Sequence, residues 1–155
     1  MPSNLTIRRA TVGERSGLEA MQWRASLMWE EDRDALLAHP DAIELPDAHL
    51  RNGGTLVAEL DGRTVGFAVL LPRLDGDAEL DGLFVEPALW KHGIGTRLVE
   101  AAAELAAAHG ASVLHVVANT RAAGFYRACG FAPLGEAQTR FGVGLAMWKT
   151  LAPRP

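Results

Sequence analysis

The sequence predicts a mixed α/β fold, with a central sheet of about six to seven strands and helices on both of its faces. Three observations support this prediction. Two apolar, β-branched runs flank an Asp-Gly pair, which is among the strongest sequence indications of a β-hairpin. An alanine-rich stretch with helical spacing follows at residues 93–108. The continuous apolar run Val113–Ala118 comes next, as expected for a strand that is buried on both faces and paired in parallel.

The N-terminal third is expected to contain one strand and several helical segments. Leu5–Arg9 alternates between apolar and polar residues, which indicates a short strand. Thr11 is a candidate N-cap for a first helix that runs towards Met28. Two prolines interrupt residues 31–50, so we expect only one or two short helices and loops there.

The middle of the chain is expected to form an antiparallel hairpin and a third strand. The hairpin strands are Thr55–Leu60 and residues 64–71, on either side of the Asp-Gly turn. A polar turn then leads to the third strand, Ala78–Val85. Gly82 interrupts this strand, and a glycine inside a strand is typical of a β-bulge or of a close approach to the backbone.

The last third should continue with alternating helices and strands. The helix at residues 93–108 ends at a His-Gly pair, which is a natural C-terminal stop. After the strand Val113–Ala118 we expect a short helix at residues 121–129. Extended structure should resume at Phe131, and residues 143–149 should form the final strand.

Length and composition favour an ordinary globular protein of the size of a small enzyme, a single domain over residues 1–155. Of the 155 residues, 48% are hydrophobic and 22% are charged, as in average globular domains. Apolar runs of membrane-spanning length and the apolar core of a signal peptide are both missing, so we expect a cytoplasmic protein without membrane attachment. The net charge is −4 and the basic residues are scattered, which argues against a nucleic-acid partner.

The cysteine content also limits the expected chemistry. Cys129 is the one cysteine of the chain, and no cluster of cysteine and histidine with metal-ligand spacing accompanies it. We therefore expect neither an internal disulfide nor a bound metal. Dimers are the commonest oligomers, so a homodimer is the default expectation for any assembly.

A glycine-containing loop opens the helix at residues 93–108, directly after the strand Ala78–Val85. Unpaired N–H groups and the positive end of the helix dipole meet at such a position, where glycine lets an anion approach. Thr96 follows the glycine at position 95 where a P-loop would have lysine, and Leu98 replaces the third glycine of a dinucleotide-binding fingerprint. Both nucleotide interpretations therefore fail. The remaining alternatives are another anion and a tight helix entry without a ligand.

A second motif follows the strand Val113–Ala118. Asn119 lies at the end of the strand, and Tyr126 comes seven residues later. Seven residues are about two helical turns, so the amide and the phenol are expected to face one cleft. The alternative for Tyr126 is a buried aromatic residue that packs the helix onto the sheet.

With these two motifs in this order, the chain resembles the GCN5-related N-acetyltransferase (GNAT) superfamily over residues 56–131. In that family the loop before the main helix reads Q/R-x-x-G-x-G/A, and its backbone amides hold the coenzyme A pyrophosphate. Gly93 and Gly95 match the two glycines, whereas Trp90 replaces Gln or Arg at the first position. The resemblance implies a strongly twisted sheet in which two parallel strands splay apart and form the acetyl-CoA cleft.

The resemblance also implies which residues bind acetyl-CoA, the expected cosubstrate. The strand before the loop would pair with pantetheine through the backbone of Leu83, Phe84 and Val85. The loop would hold the pyrophosphate through backbone amides and basic side chains, and an amide in the second motif would contact pantetheine. The implied residues of these two motifs are Lys91, His92, Gly93, Ile94, Gly95, Thr96, Arg97, Asn119, Phe125 and Tyr126.

Two catalytic roles follow from the resemblance. Tyr126 falls on the family's position for a tyrosine that protonates the departing thiolate, and a phenol with a pKa near 10 is protonated at neutral pH. Glu79 matches the glutamate base of the histone-acetylating branch. Asp81 lies two residues further along the strand, so we expect its side chain on the same face, and water is the third candidate base. Trp23 and Trp29 lie where the family builds its acceptor pocket, although helix-spaced aromatic residues are more often core.

The expected function is transfer of an acetyl group from acetyl-CoA to a primary amine of a small molecule or peptide, directly and within a ternary complex. The alternative is a binding module of the same fold that senses acyl-CoA without turning it over. A tyrosine beside the sulfur favours catalysis, because binding alone does not require a proton donor.

Overall fold

The computed structural model describes residues 4–139 and 142–151. Over these residues the chain forms a seven-stranded sheet with the strand order β1-β2-β3-β4-β5-β7-β6. The strands are β1 Leu5–Arg9, β2 Thr55–Leu60, β3 Arg63–Pro72, β4 Ala78–Val85, β5 Val113–Ala118, β6 Ala132–Thr139 and β7 Gly142–Thr150. The helices are α1 Arg15–Ser26, α2 Glu30–Ala38, α3 Asp47–Arg51, α4 Ile94–Ala108 and α5 Ala123–Ala128.

The two faces of the sheet carry separate apolar cores, which confirms the prediction of helices on both faces. The larger core contains Leu98 and Ala102 of α4 together with Leu114 of β5. The smaller core contains Leu18 of α1 and Phe67 of β3. Because side chains of a strand alternate between faces, the same central strands supply both cores.

β2 and β3 form the hairpin that the Asp-Gly pair predicts. Asp61 has a φ of 52° and Gly62 a φ of 81°, the left-handed conformations that a two-residue hairpin turn requires. Leu60 and Arg63 pair across this turn, so β3 begins one residue before the predicted start. The tight turn places β2 and β3 side by side at the centre of the N-terminal half of the sheet.

The helices begin differently from the sequence prediction. A 3₁₀ turn, Val12–Glu14, separates Thr11 from the start of α1, and the Glu14 carboxylate accepts the Thr11 backbone N–H at 2.9 Å. Another 3₁₀ turn, Thr120–Ala122, precedes α5. The predicted helix at residues 121–129 therefore holds only six α-helical residues. Within residues 4–139 and 142–151, no helix is both long and apolar enough to cross a membrane.

The sheet opens between its central parallel strands, as the family resemblance implies. Residues 78–80 of β4 pair with residues 114–116 of β5. β4 nevertheless continues to Val85 and β5 to Ala118. We call the opening between these unpaired ends the strand gap.

A β-bulge lies where the strand gap begins. Leu80 pairs with Leu70 of β3 and Gly82 pairs with Val69, which leaves Asp81 without a partner in β3. An extra residue of this kind bends the strand and increases its twist. The bulge that Gly82 predicts is therefore present, and it accompanies the separation of β4 from β5.

Candidate active site

The backbone of the last residues of β4 faces the strand gap. Glu86 donates its N–H to the Val65 carbonyl of β3 at 2.9 Å. In a trans peptide the carbonyl of one residue and the N–H of the next point in opposite directions, so the Val85 carbonyl points away from β3 and into the strand gap. The backbone N–H and carbonyl groups of a strand point to the same side at every second residue. The backbone groups of Leu83 therefore point into the strand gap as well.

The loop between β4 and α4 presents a row of free backbone donors. Gly93 is the N-cap of α4 with a φ of 83°, and the first helical bond runs from the Arg97 N–H to the Gly93 carbonyl at 3.1 Å. Within the described part of the chain, no backbone carbonyl accepts the N–H groups of residues 91–96. Together with the helix dipole, these groups form an anion-binding site beside the strand gap.

The side chains of this loop have different surroundings. Ile94 is 1% exposed and belongs to the larger core, so only its backbone is available to a ligand. Lys91 and His92 are exposed. Arg97 lines an open hollow of about 460 Å³ with Arg8, on the β1 side of α4. The backbone N–H of Arg97 already donates to the Gly93 carbonyl. A contact between the Arg97 side chain and coenzyme A therefore stays a prediction.

Gly95 has a packing role that the sequence did not predict. A Cβ at this position would lie 3.2 Å from the Phe125 ring and 3.9 Å from a methyl group of Val85. The missing side chain thus lets α4 pack closely against α5. These contacts also bring Val85, Gly95 and Phe125, which the family resemblance assigns to the cofactor, together at one place.

Tyr126 is packed between aromatic rings next to this place. It is 8% exposed, and its ring meets Phe125 and Phe131 edge to face, with centroids 5.1 and 5.4 Å apart. Burial raises the pKa of the Tyr126 phenol well above its usual range, and the nearby Cys129 adds to the shift. The phenol is therefore protonated at neutral pH.

Asn119 is exposed and caps the turn before α5. Its Oδ1 accepts the Ala122 backbone N–H at 2.8 Å, which leaves the amide NH₂ group for other contacts. Because a 3₁₀ turn separates Asn119 from α5, the argument that seven residues make two α-helical turns does not apply. A shared cleft for Asn119 and Tyr126 stays a prediction.

Glu79 and Tyr126 lie on opposite faces of the sheet. Ala78 and Leu80 both belong to the larger core, as Tyr126 does, so the intervening Glu79 side chain points to the other face. Glu79 is half-buried and lies 3.6 Å from an Arg73 nitrogen. It is one residue from the position where β4 leaves β5.

Asp81 is exposed and forms the bulge itself. The prediction that Asp81 shares the face of Glu79 assumed strict alternation along the strand. The extra residue in β4 breaks that alternation, so the spacing of two residues no longer places both carboxylates on one face.

A set of contacts that the sequence did not predict joins the start of α2 to the two loops at the strand gap. Trp29 stacks on Trp90, with ring centroids 5.5 Å apart and planes at 23°, and the Arg121 guanidinium lies 4.7 Å from the Trp29 ring. Arg121 also pairs with Glu31 and Asp32 of α2. We call Trp29, Glu31 and Asp32 the α2 bridge, because Trp90 follows β4 and Arg121 follows β5.

The fold and the site define an α/β protein in which a parallel strand pair opens beside a helix entry with free N–H groups, an arrangement that can hold an anionic group. The acetyltransferase (GNAT) family model matches residues 18–131, and the chain belongs to this family. No curated protein sequence matches the chain.

Solved structures with the same fold agree with this assignment. A GCN5-related N-acetyltransferase from Rhodopseudomonas palustris is 27% identical, with 97% of this chain and 98% of that chain covered and a TM-score of 0.81. The PaiA N-acetyltransferase from Thermoplasma acidophilum, in complex with coenzyme A, is 19% identical with 94% and 98% covered and a TM-score of 0.69. The ribosomal-protein-S18-alanine N-acetyltransferase from Escherichia coli is 16% identical with 97% and 96% covered and a TM-score of 0.70. At these lower identities the last two show the fold.

Proposed function

We propose that this chain is an acetyl-CoA-dependent N-acetyltransferase that acetylates a primary amine of a small molecule or peptide by direct transfer in a ternary complex. One observation carries the proposal: the free N–H groups of residues 91–96 lie beside a strand gap into which the backbone of Leu83 and Val85 points. A phosphate group and an extended amide chain are the ligand parts that such donors and such a strand edge bind.

The residues at the strand gap fit coenzyme A in this arrangement. The loop amides of residues 91–96 would hold the pyrophosphate, with the exposed Lys91 nearby to add positive charge and the exposed His92 to add a hydrogen bond. Leu83 would pair with the amides of pantetheine, and the Val85 carbonyl, which already accepts the Trp90 indole N–H, has a second lone pair for such a bond. Acetyl-CoA supplies a thioester, whose carbonyl carbon accepts the amine and whose sulfur leaves.

Tyr126 and Glu79 would move the two protons of the reaction. The amine nitrogen forms a bond to the carbonyl carbon as the carbon–sulfur bond breaks, and the Tyr126 phenol donates its proton to the leaving sulfur. Glu79 takes the proton that the amine loses, directly or through water. Their positions on opposite faces of the sheet support this division, because the acceptor approaches from one side and the thiolate leaves on the other.

Binding and turnover test the proposal directly. Calorimetry should show that acetyl-CoA binds, and a thiol-reactive dye should report coenzyme A release with at least one member of a panel of polyamines, amino acids, aminoglycosides and peptides with free N-termini. A protein that does not bind acetyl-CoA contradicts the proposal. Tight binding without thiol release for any amine would favour the sensing module instead.

The base assignment has a separate test in the pH dependence of Glu79→Gln. Its turnover should fall most at low pH, where the amine is protonated, and should recover partly as the pH rises and free amine becomes abundant. Asp81→Asn is the matched control on the same strand and should change mainly the acceptor KM. A Glu79→Gln pH–rate profile that overlays the wild-type profile would leave deprotonation to water.

A further inference from the structure

Trp90 makes two different contacts, one with its indole N–H and one with the face of its ring. The Nε1–H donates to the Val85 carbonyl at 2.8 Å, which is the carbonyl that points into the strand gap. The ring stacks on Trp29 of the α2 bridge with a centroid distance of 5.5 Å. One side chain therefore touches the end of β4 and the segment between α1 and α2.

The hydrogen bond stabilises the shape of the loop before α4. Lys91 follows Trp90 directly and has a φ of 68°, a left-handed conformation that persists in a residue with a side chain only where the surroundings hold it. The Trp90–Val85 bond closes the five-residue segment that leads from the end of β4 to this position. It thereby orients the free N–H groups that begin at Lys91.

The stacked ring reaches the other loop through Trp29. Arg121 lies over the Trp29 ring at 4.7 Å and pairs with two carboxylates of α2 at the same time. The order Trp90, Trp29, Arg121 therefore spans from the loop after β4 to the turn after β5. Arg24 of α1 adds a second link to the first of these loops, since it donates two hydrogen bonds of 3.0 Å to Glu86.

We propose that Trp90 is a positioning residue that couples the loop between β4 and α4 to α2. Binding of coenzyme A to this loop would then order the α2 bridge. The inference rests on the proposed function, because it takes coenzyme A as the ligand of the loop. The indole N–H holds the loop in the conformation that binds the ligand. The ring, through its stack on Trp29, stabilises the α2 bridge when the loop is ordered. A phenylalanine would supply only the ring, and a glutamine would supply only the donor.

Two substitutions at position 90 separate these contributions. Trp90→Phe keeps an aromatic ring on Trp29 and removes the donor, so the Kd for coenzyme A should rise roughly threefold to tenfold, the net worth of one hydrogen bond. Trp90→Gln keeps a donor within reach of the Val85 carbonyl and removes the stack, so its Kd should stay within about twofold of wild type. Trp23→Phe, a change to another partly buried tryptophan, is the matched control and should leave the Kd unchanged.

Amide hydrogen exchange of Glu30–Ala38 with and without saturating coenzyme A reads out the coupling. In wild type and Trp90→Phe, coenzyme A should slow exchange in α2 severalfold. In Trp90→Gln the ligand should bind with the same affinity and no longer slow it. A role of Trp90 in folding alone would not produce this split between affinity and α2 protection.

Three outcomes would contradict the proposed coupling or the function on which it rests. Full slowing of α2 exchange in Trp90→Gln, or bound coenzyme A without any effect on α2 in wild type, overturns the coupling while the proposed function stands. Absence of coenzyme A binding to wild type overturns both. Thermal unfolding followed by circular dichroism checks each variant, and if Trp90→Gln does not fold, Trp29→Leu removes the same stack from the other side and must show the same loss of slowing.

Discussion

The two edges of β4 differ in how fully they are paired. Towards β3 the strand forms seven register pairs, from Gly66–Val85 to Pro72–Ala78. Towards β5 it forms three, and within the described residues no strand pairs with residues 81–85 on this edge. One edge of the strand therefore contributes to the stability of the sheet, while the other leaves backbone groups available to a ligand.

Burial follows the same division. Phe67 and Ala68 of β3, opposite the end of β4, are 0% exposed, whereas Leu83 and Val85 are only partly buried. We expect substitutions near the β3 edge to change the free energy of unfolding and substitutions near the strand gap to change cofactor binding or turnover. The following predictions test that separation.

Tyr126→Phe should have the largest effect, a fall in kcat of about 10² to 10⁴-fold with little change in Kd for coenzyme A. The raised pKa of the phenol keeps wild-type Tyr126 protonated as the pH increases to 10, so loss of the acid should not reduce wild-type turnover in this range. Steady-state kinetics with a cognate amine and thermal unfolding of the variant measure both effects. A kcat within a few-fold of wild type would make Tyr126 a packing residue.

Phe67→Ala should lower the free energy of unfolding by about 3–5 kcal/mol. The Phe67 ring is fully buried in the smaller core and lies 5.3 Å from the Phe84 ring, so its removal leaves a cavity. Urea denaturation measures the loss, and Leu134→Ala, which removes a side chain that is 53% exposed, is the control. If the folded Phe67→Ala protein also bound coenzyme A much more weakly, the two edges of β4 would not be separable.

Gly93→Val should weaken coenzyme A binding by roughly tenfold to a hundredfold. A branched residue at a φ of 83° is strained by about 1–3 kcal/mol, and the loop amides lose their arrangement as the backbone relaxes. Calorimetry on the folded variant checks this, with Gly17→Val as a control at a glycine surrounded by open space. Gly95→Val should also lower stability, because its side chain meets the Phe125 ring. Unchanged affinity in both loop variants would contradict the loop assignment.

Glu14→Gln should have the smallest effect, a decrease of about 1 kcal/mol in the free energy of unfolding. Glu14 lies away from both edges of β4. Arg8 donates two hydrogen bonds of 2.8 Å to the Glu14 carboxylate, and mainly for this reason the pKa of Glu14 is lowered to about 2. A depressed carboxyl pKa stabilises the fold above the unfolded value of about 4.3, and this contribution is lost as the pH falls towards 2. Urea denaturation at pH 7 and pH 3 should show the difference between wild type and variant shrinking at the lower pH.

The parts of the fold that depend on local chemistry were predictable from the sequence. The Asp-Gly pair specifies the β2–β3 turn through two left-handed residues. The apolar spacing of residues 93–108 predicts α4, which the structure places at Ile94–Ala108. Gly82 predicts the bulge because a glycine within a strand has no side chain to pack.

The parts that depend on distant contacts were not predictable. Trp29, Trp90 and Arg121 are far apart in sequence, and no local pattern indicates that they stack. The packing role of Gly95 depends on Phe125, which belongs to another helix. The cap formed by Asn119 differs from these contacts, because it depends on local sequence alone. Its side chain accepts the N–H of Ala122, three residues later, which is a recognisable N-cap pattern.

The insertion of β7 between β5 and β6 determines when the strand gap can form during synthesis on a ribosome. β5 has three register pairs with β4 and six with β7, and β7 is the last strand of the described chain to leave the exit tunnel. Until Gly142–Thr150 has emerged, one wall of the strand gap lacks most of its hydrogen-bonded support. The N-terminal half of the sheet, from β1 to β4, has its neighbours much earlier. A nascent chain should therefore acquire protease resistance in its first four strands before it acquires any capacity to retain coenzyme A.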